Sequence, residues 1–343
     1  MTIDFKNLNT NKLQPKTDFE EKVLFFLKEW FSEASTVSVQ TSGSTGIPKI
    51  FDIEKEKMQN SAKMTCDFLG LNEGDTALLC LPVEYISGKM MLVRSLERKL
   101  KLIVKTPDTH PLKDLEEKVD FCALTPLQVE NSLSKIHLIK NLIIGGAAVS
   151  ETLKKKLSGI GNEKNDNRRI FETYGMSETL SHIALKEIYP NEEEYFTTFE
   201  GIEISKDERD CLKIHAPMLN PDVLTTNDLV ELKNEKQFKF LGRADNIINS
   251  GGAKIFPEEL ETVVKKHVDN EVVFLGIPDE SFGQKLVLAI EGERNEDLKN
   301  EILNIQYRKA FYKPKEVFFL DEIPRTPNGK VDRRTLLQLL TKS

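Results

Sequence analysis

The sequence predicts an α/β protein in two parts. A large N-terminal domain with mostly parallel sheets and helices is expected over residues 1–242, and a small α+β lid over residues 249–343, joined by residues 243–248. Three observations predict this. Apolar runs of strand length, such as Thr76–Pro82 and Leu138–Ile144, alternate with stretches of helical periodicity, as βαβ units with a parallel sheet require. Those runs open onto Thr125-Pro126 and Gly145-Gly146, small-residue turns at the strand ends where such sheets bind ligands. Beyond Gly242-Arg243-Ala244-Asp245-Asn246 the chain becomes compact and charged, with strands and helices of its own.

Each element has a local reason. Between Phe19 and Phe31, Val23, Leu24, Phe26, Leu27, Trp30 and Phe31 recur at helical spacing, and Thr36–Gln40 alternates as a short strand. Met58, Ala62, Cys66 and Leu69 mark a helix over Lys55–Leu69, with Gly70 as its stop. Thr76–Pro82 reads as a buried strand and Tyr85–Leu96 as a helix. Leu100–Val104, Phe121–Leu124, Leu138–Ile144 and Ile170–Tyr174 read as further strands, with Gly159–Arg168 a polar surface loop. Ile202–Ser205 and Cys211–His215 suggest a small antiparallel sheet, and Leu224–Leu232 places Asp228 at the tip of a hairpin-like segment. In the C-terminal part, helices are expected over Pro257–His267 and Glu296–Tyr307, and strands over Glu271–Ile277, Lys285–Glu291 and Glu316–Leu320. Asp332 caps a last helix carrying Leu336, Leu337, Leu339 and Leu340.

Composition narrows the function. Forty-eight basic and 55 acidic residues among 343 give a net charge of −7, without the clustered basic excess of a nucleic-acid surface. Cys66, Cys80, Cys122 and Cys211 form no CxxC pair, which argues against a zinc site or a disulfide framework. No signal peptide is visible at Met1–Leu8, and no apolar stretch approaches membrane-spanning length. A cytoplasmic protein without membrane insertion is expected, with a homodimer left open.

The chemistry begins at Thr41-Ser42-Gly43-Ser44-Thr45-Gly46-Ile47-Pro48-Lys49. Glycines let successive N–H groups line one concavity, hydroxyls add donors, and Lys49 adds a mobile positive charge suited to phosphate oxygens. The spacing is not that of a Walker A loop; a flexible Gly/Ser turn is the usual reading of such composition, but the ordered spacing and the terminal Pro48-Lys49 count against a mere linker. A second lysine, Lys330, is presented by Pro324-Arg325-Thr326-Pro327-Asn328-Gly329, where two prolines and Asn-Gly make a tight turn.

Four motifs occur in order: TSGSTGIPK (41–49), YGMSET (174–179), GRADNIINSGGAKIFPEELE (242–261) and PRTPNGKVDRR (324–334). Together they resemble the adenylate-forming superfamily of acyl-CoA synthetases, luciferases and peptide-synthetase adenylation domains, over nearly the whole chain from about Val37. Only 40 residues precede the loop, so relative to that family the N-terminal domain is expected to be truncated. The resemblance implies that ATP and a small-molecule carboxylic acid react to acyl-AMP, and that coenzyme A then displaces AMP. It further implies that Ser42, Gly43, Ser44, Thr45, Gly46 and Lys49 hold phosphates, and that Ser177 bonds the α-phosphate or acyl oxygen. Glu178 would bind Mg²⁺; Tyr174 would stack on adenine, with Gly145, Gly146, Thr173, Gly175 and Met176 around the nucleotide. Asp228 would accept the ribose hydroxyls, with Arg243 beside it, while Lys330 would be the catalytic lysine and Asp245 the hinge. Gly251, Gly252 and Lys254 would line the coenzyme A channel.

The segments 81–95, 123–129, 143–150 and 174–185 look most like the o-succinylbenzoate–CoA ligases of menaquinone biosynthesis, with Tyr85 standing where that family commonly has histidine. A dicarboxylate substrate needs partners for its second carboxylate. Lys89, Arg94 and His182 are the candidates, with Ser87, Thr125 and Ser181 as hydrogen-bond donors and Tyr85 at the pocket. Another acyl- or aryl-CoA synthetase, a stand-alone amino-acid adenylation enzyme loading a carrier protein, and a non-catalytic nucleotide-binding paralogue are the alternatives.

Overall fold

The computed structural model describes residues 1–40, 50–160, 167–268, 270–325 and 331–342. It opens with β1 (Thr2–Asp4) and α1 (Asp18–Trp30). Helix α1 starts at Thr17, whose hydroxyl accepts the Glu20 N–H at 3.2 Å, and three acidic residues in its first turn suit the positive end of the helix dipole. Next, β2 (Thr36–Gln40) and β3 (Ile50–Glu54) pair antiparallel as a separate two-stranded sheet. Helix α2 (Lys55–Leu69) ends at Gly70, which takes the left-handed conformation at φ 66° that a side chain would strain.

The chain then alternates strand and helix: β4 (Thr76–Leu79), α3 (Ile86–Glu97), β5 (Lys101–Val104), β6 (Val119–Leu124), α4 (Pro126–Glu130), β7 (Ile139–Ile144), α5 (Glu151–Ser158) and β8 (Arg169–Gly175). These strands lie in the order β5-β4-β6-β7-β8, all parallel. Their alternate side chains separate into two apolar clusters. Ala77, Leu79, Phe121, Ala123, Ile143 and Phe171 belong to one, and Leu78, Cys80, Cys122, Leu124, Leu142, Ile144 and Ile170 to the other. A strand buried on both faces has no polar side to alternate with, which is why these strands carry consecutive apolar residues such as Ala77-Leu78-Leu79 and Leu142-Ile143-Ile144.

The sheet does not stay parallel. β9 (His182–Tyr189), β10 (Phe196–Thr198), β11 (Glu203–Lys206), β12 (Cys211–Ala216), β13 (Asn220–Asn234) and β14 (Gln237–Arg243) continue it as β8-β9-β10-β14-β13-β12-β11, and β1 closes the other edge against β5. Seven of the eleven pairings in this twelve-stranded sheet are antiparallel, so the expected mostly parallel sheet is corrected to a mixed one. The reason is connection length: β13 and β14 are joined by Glu235 and Lys236 alone, which permits only a hairpin. Two further expectations change. β11 and β12 extend the large sheet instead of forming a small one, and Asp228 lies inside the fifteen-residue β13, not at a tip. The tip is at 234–237, where Asn234 accepts the Lys236 N–H at 2.9 Å.

From residue 248 a five-stranded sheet forms from β15 (Ile248–Ser250), β16 (Ala253–Ile255), β17 (Val272–Asp279), β18 (Gly283–Glu291) and β19 (Glu316–Leu320), packed with α6 (Pro257–Val264), α7 (Glu296–Asn304) and α8 (Arg333–Lys342). Helices α6 and α7 stop three residues short of the expected ends; beyond α7 the Tyr307 hydroxyl donates to the Ile302 carbonyl at 3.2 Å, which also accepts the Ile305 N–H. Among the described residues no helix is long and apolar enough to cross a membrane.

One ion pair ties α8 to this second sheet. Arg333 donates to both Glu261 carboxylate oxygens at 2.7 Å and to the Phe274 carbonyl at 2.9 Å, and the Phe274 N–H donates back to Glu261 at 2.8 Å. Removing one partner of a buried pair leaves the other charge uncompensated. Arg333→Met is therefore expected to cost about 3–5 kcal/mol, read as a lower urea midpoint; an unchanged midpoint would show that solvent already screens the pair.

Candidate active site

At the carboxyl ends of the parallel strands, Leu124 pairs with Ile144 and Ile144 with Glu172. One residue further on, Thr125, Gly145 and Thr173 stand in a row across β6, β7 and β8. A Cβ on Gly145 would lie 2.7 Å from Thr173 Oγ1, and Gly146 takes φ 88°, so this row tolerates no side chain at 145 and favours none at 146. Thr125 is also a helix cap: its hydroxyl accepts the Gln128 N–H at 3.3 Å, and its own N–H donates to Gln128 Oε1 at 3.1 Å.

The motif after β8 is built around Thr179. Its buried hydroxyl accepts the Met176 N–H at 3.0 Å and lies 2.8 Å from the Ser181 carbonyl, to which it donates. Gly175 lets the chain fold back, since a Cβ there would meet the Ser181 carbonyl and His182 Cα at 2.4 Å. Asn220 donates to the Glu178 carbonyl at 3.2 Å from the start of β13. The result is a pinned turn that leaves Ser177 and Glu178 exposed. Among the described residues no three His, Cys, Asp or Glu side chains converge as metal ligands. An exposed carboxylate at the site suits Mg²⁺, which takes one or two protein carboxylates and completes its shell with phosphate oxygens and water.

Across the sheet, Tyr174, Asp228, Arg243 and Asp245 form one chain of hydrogen bonds. The Tyr174 hydroxyl donates to Asp228 Oδ2 at 2.6 Å, and Arg243 donates to Asp228 Oδ1 at 3.0 Å and to Asp245 at 3.1 Å. Asn227 donates to both Asp245 oxygens at 3.2 Å. Burial, then the Asp228 carboxylate, pushes the Tyr174 phenol far above its usual range, so it stays a neutral donor. Burial works against the Arg243 charge, but Asp245 and Asp228 outweigh it and hold its pKa above the ordinary value. A carboxylate has about four acceptor positions, so Asp228 can accept further donors. The Tyr174 ring meets Phe238 edge-on at 4.8 Å.

A second constellation lies between α2, α3 and β9. Arg94 is 2 % exposed and donates to Ser181 Oγ at 3.1 Å, while its Nε has no partner. Burial pushes its pKa down to about 10, and among the described residues no carboxylate lies within ion-pair distance. Thr65 gives its one hydroxyl proton to the Ser61 carbonyl at 3.1 Å. It must therefore accept from His182 Nε2, also at 3.1 Å, which fixes the Nε2–H tautomer and leaves Nδ1 as an acceptor facing Ser181 Oγ at 3.5 Å.

Arg94, Ser181 and His182 are thus brought together, and Lys89 is not. Five residues back on α3, its side chain diverges by about 140° and reaches the Ser38 carbonyl and Glu29. Ser87 is exposed, and Tyr85 sits at the start of α3 bridged to Gln40. Gly251 and Gly252 make the two-residue turn between β15 and β16 with φ 56° and 79°, and Lys254 is exposed beside them. Ser42, Gly43, Ser44, Thr45, Gly46, Lys49 and Lys330 lie outside the described residues. Their flanks are paired: Gln40 with Ile50, and Arg325 with Val331.

Residues 3–202 match the family model described as AMP-binding enzyme. The chain belongs to that family. This AMP-binding enzyme is 26 % identical over 327 residues to the 2-succinylbenzoate–CoA ligase of Lactococcus lactis, spanning 89 % of this chain and 71 % of that protein. It is 28 % identical over 360 residues to the ligase of the same name from Listeria monocytogenes, spanning 95 % and 74 %. A solved acyl-CoA synthetase (AMP-forming)/AMP-acid ligase II-like protein from Dyadobacter fermentans is 34 % identical, with a TM-score of 0.67 over 99 % of each chain. The o-succinylbenzoate coenzyme A synthetase of Bacillus subtilis, solved with ATP and magnesium ion, shares the fold at a TM-score of 0.71 and 23 % identity, over 87 % of this chain and 69 % of that one. Superfamily membership is that of AMP-forming acid–thiol ligases.

Thr65 has no sequence signal, since a lone threonine shows nothing until the fold gives its hydroxyl a partner; Thr179 closes the 174–179 motif, but its pinning role shows only in its hydrogen bonds. In the AMP-binding enzyme the position of His182 also has a titration consequence: burial and then Arg94 hold its pKa well below the usual 6.5. The unfolded state then binds this proton more readily, so the stability contributed is present above pH 6.5 and lost as pH falls below it. His182→Gln should flatten the fall in Tm between about pH 7.5 and 5; an acid slope equal to that of the parent would reject the assignment.

Proposed function

We propose that this enzyme adenylates a dicarboxylic acid, best matched by 2-succinylbenzoate, and transfers the acyl group to coenzyme A, as menaquinone biosynthesis requires. The observation that carries the acid class is Arg94. A buried guanidinium without a carboxylate partner costs several kcal/mol, and it stands beside Ser181 and the neutral His182. An acid with a second carboxylate would supply the missing partner. The two 2-succinylbenzoate–CoA ligases support the same acid.

In this reading a carboxylate oxygen attacks the α-phosphorus of ATP and pyrophosphate leaves; the coenzyme A thiol then attacks the acyl carbon, loses its proton, and AMP leaves. The protein contributes alignment and charge neutralisation rather than a nucleophile. Ser42–Gly46 and Lys49 would hold the pyrophosphate end, and Ser177 the α-phosphate. Glu178 would hold Mg²⁺, which offsets phosphate charge. Tyr174, Thr173, Gly145, Gly146, Gly175 and Met176 would surround the base, with Asp228 and Arg243 at the ribose. Residues 1–242 and 249–343 would act as two domains turning about Asp245, which brings Lys330 to the reacting bond in one step and Gly251, Gly252 and Lys254 to coenzyme A in the next.

A pyrophosphate-release assay across carboxylic acids, with and without coenzyme A, tests this. Turnover is expected with 2-succinylbenzoate and coenzyme A, and not with amino acids or fatty acids. Arg94→Met should raise the KM for that acid roughly a hundredfold while leaving the KM for ATP nearly unchanged; a preference for monocarboxylates in the parent enzyme would sink the dicarboxylate reading. Separately, Lys330→Ala should abolish acyl-AMP formation from ATP yet retain thioester formation from preformed acyl-AMP. Equal loss of both half-reactions would remove Lys330 from the adenylation step.

A further inference from the structure

Lys89 is 8 % exposed, and its neighbours are Ser38 of β2 with Phe26 and Glu29 of α1, none of them a partner of Arg94. Its Nζ donates to the Ser38 carbonyl at 2.5 Å, stands 4.0 Å from Glu29 Oε2, and lies 5.0 Å from the centre of the Phe26 ring. The other oxygen of the same glutamate, Glu29 Oε1, accepts the Ser38 N–H at 3.1 Å. One ion pair therefore holds both polar backbone groups of a single residue in β2.

This matters because β2 has a full strand partner on one side only. In an antiparallel pair, every second residue turns its N–H and C=O away from the partner. Ser38 and Gln40 are such residues, in phase with Thr36 at the start of the strand. Gln40 finds the Glu84 carbonyl at 3.2 Å and bridges Tyr85, at the start of α3. Ser38 finds Glu29 and Lys89 in place of a third strand. The strand so held runs directly into residues 41–49. Burying an ammonium group is costly, and burial does lower the Lys89 pKa, whereas an apolar residue at 89 would pack against Phe26 without that cost. The pair gives instead a fixed position for β2 along its length.

We infer that Glu29 and Lys89 form a positioning clamp on β2 that sets ATP affinity by fixing where residues 41–49 begin, without contacting either substrate. The inference rests on the proposed nucleotide role of residues 41–49. It also moves Lys89 out of the acid pocket, where the sequence alone had placed it.

The test compares KM for ATP, KM for the acid and kcat in the parent enzyme, Lys89→Met, Glu29→Gln and Lys89→Arg, with Tm measured on each. Lys89→Met is expected to raise the KM for ATP roughly tenfold with the acid KM within about twofold, and Lys89→Arg to recover most of the loss because it keeps a donor to the Ser38 carbonyl. Glu29→Gln, which preserves size and keeps Lys89 on Ser38, should show a smaller change of the same kind, and it carries the test if Lys89→Met fails to fold. Both KM values moving together with Tm would reduce the pair to a structural role and overturn the clamp, as would an unchanged KM for ATP in folded Lys89→Met. A parent enzyme that neither binds nor turns over ATP would instead overturn the nucleotide reading beneath it, which the parent measurement alone reveals.

Discussion

The Asp228 carboxylate is the constraint on which the site depends. It is 8 % exposed, and its two oxygens are taken by Tyr174, at the end of the parallel strands, and by Arg243, at the end of the antiparallel ones. A carboxylate buried to this degree is tolerated only when its lone pairs are met. The two halves of the twelve-stranded sheet must therefore meet with β8 and β14 in one relative position. Arg243 then passes the constraint on to Asp245, so the residue proposed to hinge the molecule is bonded to the one proposed to hold the ribose. Reading ATP at Asp228 and turning at Asp245 would thus share one guanidinium.

What the sequence shows of this depends on how local the cause is. Helix α2 and its Gly70 stop are legible to the residue, because apolar spacing and a left-handed C-cap are properties of fifteen neighbouring residues. The parallel strands are legible because burial on both faces gives each an apolar run, with polar residues such as Lys101, Asp120 and Arg169 standing at its first positions. The antiparallel half is legible only in part: β11 and β12 show as alternating runs, while the mid-strand part of β13 and the start of β9 do not. β13 carries Thr225, Thr226, Asn227 and Asp228 in mid-strand, a run that reads as a turn, yet Thr226 caps the Asp228 N–H, Asn227 holds Asp245, and Asp228 holds Tyr174. Those residues are polar because the site needs them, and their polarity hides the strand. The same applies to β9, whose first residue is His182.

Lys89 and Arg94 show where residue type alone fails. Both are buried cations on one helix, five residues apart, and from sequence they compete for one role. Their surroundings separate them. Lys89 has a carboxylate at 4.0 Å and a carbonyl at 2.5 Å, so its charge is already answered within the protein. Arg94 has one serine hydroxyl and an unpartnered Nε. The unanswered charge is the one available to a substrate.

His182 sharpens that argument. A second cation beside Arg94 would deepen the attraction for an anion, but it would also repel the guanidinium in a region where charges are poorly screened. Burial, and then Arg94 itself, prevent this by holding the ring neutral, while the Thr65–Ser61 bond keeps its one proton on Nε2 and leaves Nδ1 facing Ser181. Ser181 can then give its proton to the ring and its oxygen to Arg94, which sets the direction of each hydrogen bond in the chain Ser61–Thr65–His182–Ser181–Arg94. One positive charge is left, already oriented before any ligand arrives. A carboxylate entering such a site meets donors that need no reorganisation, and that pre-arrangement, more than the count of positive residues, would separate a dicarboxylate from an acid of the same length without the second group.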